Sequence, residues 1–173
     1  SNFTCHYASE KGHLNCLKYA HENGCEWNKW TCYDASYNGQ LECLKYAHEN
    51  GCDWDKETCY SAASNGHLEC LKYAHENGCV WDKLTCDYAS EKTQLECLKY
   101  AIDHGCPFDE EILIKCASKN NFNALIYLNK NYPDILDISR FIIVNDYKWD
   151  ESLLTLIASE NSAALKIYQK YLK

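Results

Sequence analysis

The segment LNCLKYAHENGC at residues 14–25 returns as LECLKYAHENGC at 41–52 and again at 68–79, and as LECLKYAIDHGC at 95–106. The step is 27 residues each time, and single columns follow it without slippage. Thr4, Thr31, Thr58 and Thr85 form one column; Leu17, Leu44, Leu71 and Leu98 form another; Gly24, Gly51, Gly78 and Gly105 a third. Trp27, Trp54 and Trp81 continue to Phe108, and Tyr19, Tyr46, Tyr73 and Tyr100 extend to Tyr127. Self-similarity at such a period is the signature of a solenoid, in which each repeat is too small to bury its own apolar faces and must stack on its neighbours.

Within the third unit the sequence reads as two short helices. Asp55 stands where an N-cap would accept the orphan amides of a first turn, with Trp54 just before it. The first helix places Cys59, Ala62 and Ala63 on one face at helical spacing, and Asn65-Gly66 stops it. A second helix is predicted over about 67–77, ended by Asn77-Gly78. Its apolar positions (Leu68, Cys70, Leu71, Tyr73, Ala74) are too many for one narrow stripe, so it reads as covered on two sides. Glu69, Lys72 and Glu76 form its polar row, with Lys72 and Glu76 expected to pair at i, i+4. Small residues at Ala35, Ala62 and Ala89 allow neighbouring first helices to approach closely.

These words carry a resemblance. Thr58, the alanine pair Ala62-Ala63, Gly66-His67-Leu68 and the closing Glu76-Asn77-Gly78-Cys79 resemble the ankyrin repeat: its first-helix Thr and paired alanines, its inter-helix Gly-His-Leu and its closing Gly-Ala. That repeat runs to about 33 residues; here the first helix is one residue short and the β-hairpin finger is mostly gone. The shortened form resembles arrays of giant DNA viruses and protists. The resemblance implies an all-α solenoid of stacked helix-turn-helix repeats with fingers largely absent, acting as a non-catalytic protein–protein interaction module in the cytoplasm, that of a host cell if the protein is viral. The expected organisation is five repeats over 1–138, the first truncated at its start and the fifth divergent, followed over 139–173 by a degenerate helical C-terminal cap packed on the array. Three helices are expected in this last part, near 134–144, 151–159 and 162–172. The chain enters the pattern at Phe3-Thr4 and contains no Met, which points to a fragment or processed product.

Composition narrows the function classes. The 173 residues carry a formal net charge of −8, with 46% apolar residues. An acidic chain is poorly suited to neutralising phosphates, so a general nucleic-acid binder is not expected. No apolar run approaches the length of a membrane helix, and no secretory signal is visible, which leaves the sequon Asn2-Phe3-Thr4 without consequence. The charge is uneven: residues 1–111 sum to −10 and residues 112–173 to +2.

Thirteen cysteines stand out, twelve of them in three columns headed by Cys5, Cys16 and Cys25, with Cys116 apart. Same-column thiols one repeat apart are too distant for disulfides, so the columns read as reduced cysteines used as small buried apolar residues. A zinc site is the rival reading, since His21/Cys25/Cys32 recurs as His48/Cys52/Cys59 and His75/Cys79/Cys86. Yet Gly interrupts each His–Cys spacing, and no Cys-x-x-Cys occurs. The expectation is no metal and no cofactor, with His covering the helix–helix ridge and Trp stapling the next helix. Enzyme motifs are absent: His-Glu-Asn-Gly-Cys lacks the second His of a metalloprotease helix.

The positions that differ between near-copied units are the informative ones. Second helices barely change. First helices vary at four columns: Trp30, Glu57, Leu84; Tyr33, Tyr60, Asp87; Asp34, Ser61, Tyr88; and Tyr37, Ser64, Glu91. Helical spacing sets these opposite the Cys/Ala face, on the expected concave side of the stack. Constant scaffolding with a varied, aromatic-rich face is what recognition of a protein partner requires. These twelve residues are the candidate partner-binding site of a monomer, with a basic patch on the partner as its weak electrostatic corollary. A structural spacer in a longer chain is the other alternative.

Overall fold

A computed structural model of the protein describes residues 2–132. The chain divides into two compact units, residues 1–107 and 108–173. Among the described residues the structure is all-α, without strands, and no helix is long and apolar enough to cross a membrane. The three expected C-terminal helices and the cap lie outside the described residues.

The first unit holds four helix pairs: α1 (Asn2–Glu10) with α2 (Leu14–Glu22), α3 (Lys29–Tyr37) with α4 (Leu41–Glu49), α5 (Lys56–Ser64) with α6 (Leu68–Glu76), and α7 (Lys83–Glu91) with α8 (Leu95–Asp103). The first helices pack in the order α1, α3, α5, α7, and the second helices in the order α2, α4, α6, α8, giving two layers. The first-helix layer is the tighter one, as Ala35, Ala62, Ala63 and Ala89, all fully buried, permit. Leu17, Leu44, Leu71 and Leu98 sit between the layers with no exposed surface. Each side chain of this kind contributes about 2 kcal/mol of burial, repeated at every step.

The helix ends follow local chemistry. Asn28, Asp55 and Asp82 each accept a hydrogen bond from the amide two residues on, at 2.9–3.0 Å. The second helices close in Schellman motifs: in the third pair Cys79 N–H donates to Ala74 O at 2.9 Å and Gly78 N–H to His75 O at 3.0 Å. That closure requires Gly78 at φ +86°. At the end of the first helix of pair four the same left-handed position is taken by Thr93, at φ 59°. Gly12, Gly39 and Gly66 hold it elsewhere, so Thr93 carries backbone strain its counterparts avoid. On the second-helix surface the ion pair differs from expectation. Lys72 reaches back to Glu69 at 2.9 Å, i to i+3, and Lys45–Glu42 and Lys99–Glu96 repeat the choice.

In the second unit α9 (Glu111–Ser118) and α10 (Phe122–Asn131) form one further pair, with Ile112, Leu113, Cys116, Ala124, Leu125 and Leu128 in its interior. Asn121 caps α10 by accepting from the Ala124 amide, and Asn120 takes the left-handed position at φ 53°.

Candidate functional site

The scaffold behind the site is a ladder of rings. His48 stacks flat on Trp54, centroids 3.7 Å apart and 9° from parallel, while its Nδ1 lies 3.0 Å from the Tyr73 hydroxyl. Trp54 meets Tyr73 edge to face at 6.1 Å. The same three-ring set recurs as His21/Trp27/Tyr46 and His75/Trp81/Tyr100. The tryptophans therefore join one second helix to the next through His and Tyr. The histidines of the zinc reading have both a ring face and a ring nitrogen engaged in this ladder. Among the described residues no three His, Cys, Asp or Glu side chains converge as metal ligands.

The cysteines pair across columns. Cys5, Cys32, Cys59 and Cys86 are fully buried. The Cys32 thiol lies 3.9 Å from Cys52 O, and the Cys52 thiol donates to Asn28 O at 3.1 Å. Cys59 with Cys79 and Cys86 with Cys106 repeat the arrangement, the linker thiols bonding to Asp55 O and Asp82 O at 3.1 and 3.3 Å. The hydrogen bond shared with Cys52, together with burial, pushes the Cys32 thiol far up, while the Cys32 thiol holds Cys52 below its ordinary value against the effect of burial. None of the thirteen cysteines is in a disulfide. A column comparison misses these pairs, because each joins a first-helix thiol to a linker thiol 20 residues later in the same repeat.

The outer side of the first-helix layer is the candidate site. Trp30, Tyr37, Leu84 and Tyr88 are exposed, at 44%, 46%, 38% and 36%. Tyr33, Asp34, Glu57, Tyr60, Ser64 and Glu91 are half-exposed. Two expected members are not on the surface. Ser61 and Asp87 are buried, at 1% and 5%, and the Ser61 hydroxyl donates into its own helix at Thr58 O, 3.0 Å. Both are short side chains in columns where Tyr33, Tyr60 and Tyr88 are long enough to reach solvent. Ten of the twelve expected residues therefore reach this surface.

Rings connect the face. Tyr33 meets Trp30 edge to face at 5.4 Å and stacks on Tyr37 at 5.9 Å; Tyr60 and Tyr88 bridge two repeats at 5.2 Å. Partial burial among rings and carboxylates raises the Tyr33 and Tyr60 hydroxyls above their ordinary range. Lys29 lies 5.0 Å from the Trp30 ring centroid and pairs with Asp55 at 2.8 Å and Glu57 at 3.4 Å. Asp34 accepts from His6 Nδ1 at 3.1 Å if that nitrogen carries the proton. Burial raises its carboxyl, and His6 works in the opposite direction. His6, Tyr7 and Lys29 belong to the same surface and were not among the expected residues. Stepping back 27 residues from Tyr33 and Asp34 finds the first two.

The geometry agrees with what known proteins show. The family model for ankyrin repeats, many copies, matches residues 5–48 and 32–75. Among 175 matching chains of known structure, the ankyrin repeat domain of human ASB11 superposes with a TM-score of 0.61 over 96% of this chain and 82% of that one, at 15% identity. No curated protein matches the chain in sequence. The fold is therefore an ankyrin-repeat solenoid.

Proposed function

We propose that the chain is a protein-interaction module whose partner docks on the outer side of the first-helix layer. The observation that carries this reading is the contrast between near-copied second helices and a varied, connected, ring-rich face on the first helices. The module comprises five repeats over 1–138 and a cap over 139–173, works as a monomer, and uses neither metal nor nucleic acid. The 27-residue step and the loss of the finger support a place among the shortened arrays of giant DNA viruses and protists, and with it a cytoplasmic site of action.

Affinity capture with the wild-type chain and with Trp30→Ala/Tyr33→Ala/Tyr60→Ala, checked for helicity by circular dichroism, tests the reading. A protein retained by the wild type and lost by the variant is the expected result. Equal capture by both would move the partner off this face.

A further inference from the structure

We propose that the first-helix face between Trp30 and Glu91 receives an arginine-bearing segment of the partner protein, its guanidinium groups lying on the tyrosine rings and pairing with the neighbouring carboxylates. This rests on the face being the docking surface. The molecule already displays the arrangement in miniature. Lys29 is held between the face of Trp30, 5.0 Å away, and the carboxylates of Asp55 and Glu57. An aromatic face and an anion converging on one cation is the pairing that a desolvated cation–π site requires.

The remainder of the face offers the same two components. Tyr33, Tyr37, Tyr60 and Tyr88 present rings to the surface, and Asp34 and Glu57 stand beside them, half-exposed. Asp34 gains an incentive of its own: burial disfavours its charge more than His6 restores it, and a docked cation would remove that imbalance. The field over residues 1–111, net −10, draws a basic segment in and repels phosphate or an acidic peptide. Arginine fits better than lysine because its planar, weakly hydrated head stacks on a ring while its donors remain free for a carboxylate. A purely apolar partner helix is disfavoured, since the tyrosine hydroxyls and carboxylates would lose water without gaining partners.

A display library of short random peptides, panned on the whole chain at physiological salt, tests this. Trp30→Ala/Tyr60→Ala/Tyr88→Ala serves for counter-selection. Asp34→Asn/Glu57→Gln is a second variant of unchanged shape, kept in case truncating three rings disturbs the fold. The expected result is enrichment of arginine among face-dependent binders. Replacing arginine by lysine in a selected peptide should weaken binding by roughly three- to tenfold, and the Asn/Gln variant should weaken it at least as much. Selected peptides that need the face but carry no cationic residue would overturn the proposal while leaving the docking surface intact. Peptides that bind the ring-truncated variant equally well would overturn both. Failure to enrich any binder would overturn the proposal, as would equal binding of arginine and lysine peptides.

Discussion

The second helices and the outer side of the first helices share one 27-residue step, yet they obey different rules. In the second helices Leu44, Leu71 and Leu98 are completely buried, Cys43, Cys70 and Cys97 nearly so, and each His–Trp–Tyr set copies the one before it. Each ring set joins one repeat to the next, so a change in one copy is felt in its neighbour. On the first-helix face Trp30, Glu57 and Leu84 occupy equivalent positions without disturbing the backbone beneath them. Stability is thus concentrated where the repeats agree, and chemistry is free to vary where they differ.

Breaking the constant region should have the largest effect. Leu71→Ala removes a fully buried side chain that neighbours on both sides surround. It is expected to cost about 2–5 kcal/mol, read as a lower urea midpoint with an unchanged slope. A smaller effect of opposite sign is expected where the fourth repeat breaks its own pattern. Thr93→Gly restores the residue found at Gly12, Gly39 and Gly66 and relieves a positive φ. The expected gain is about 1 kcal/mol by thermal or urea unfolding.

The ladder should also respond to pH. Burial, and then the charge of His104, hold His75 below its ordinary value, with Glu76 opposing. The folded state therefore binds the proton less readily than the unfolded chain. The contribution is fully present above the unfolded pKa, near 6.5, and is lost as pH falls through the depressed native value. His75→Gln should shrink the fall in urea midpoint between neutral and mildly acidic pH. The smallest effect is expected on the variable face: Tyr37→Ser, at an exposed ring, should change stability by less than about 1 kcal/mol. A loss as large as that of Leu71→Ala would erase the distinction between the two regions.

Much of this was legible in the residues themselves. The 27-residue step predicts stacked helix pairs, Asp55 predicts a cap, and Gly78 predicts a left-handed closure, because each depends on local geometry that the residue type dictates. Contacts between repeats were less legible. Lys72 had two acidic neighbours within helical reach and took Glu69, not Glu76. The Trp54 ring lies before a cap, but the partner it stacks on is His48, six residues earlier on the preceding helix. Ser61 and Asp87 show that a column fixes where a side chain begins and not where it ends. The thiol pairs depend on how the linker returns over the start of its own first helix, which spacing within a column does not reveal.

That return has a mechanical consequence. Asn28, Asp55 and Asp82 begin their repeats, and their carbonyls receive the thiols of Cys52, Cys79 and Cys106, which end them. Each of these three repeats is fastened head to tail on itself as well as to its neighbours. Tension along the array would then release chain in equal lengths, one 27-residue loop of about 90 Å at a time. The three closures are alike, so these repeats would be expected to open one at a time under load, which force spectroscopy on the chain would read as evenly spaced steps.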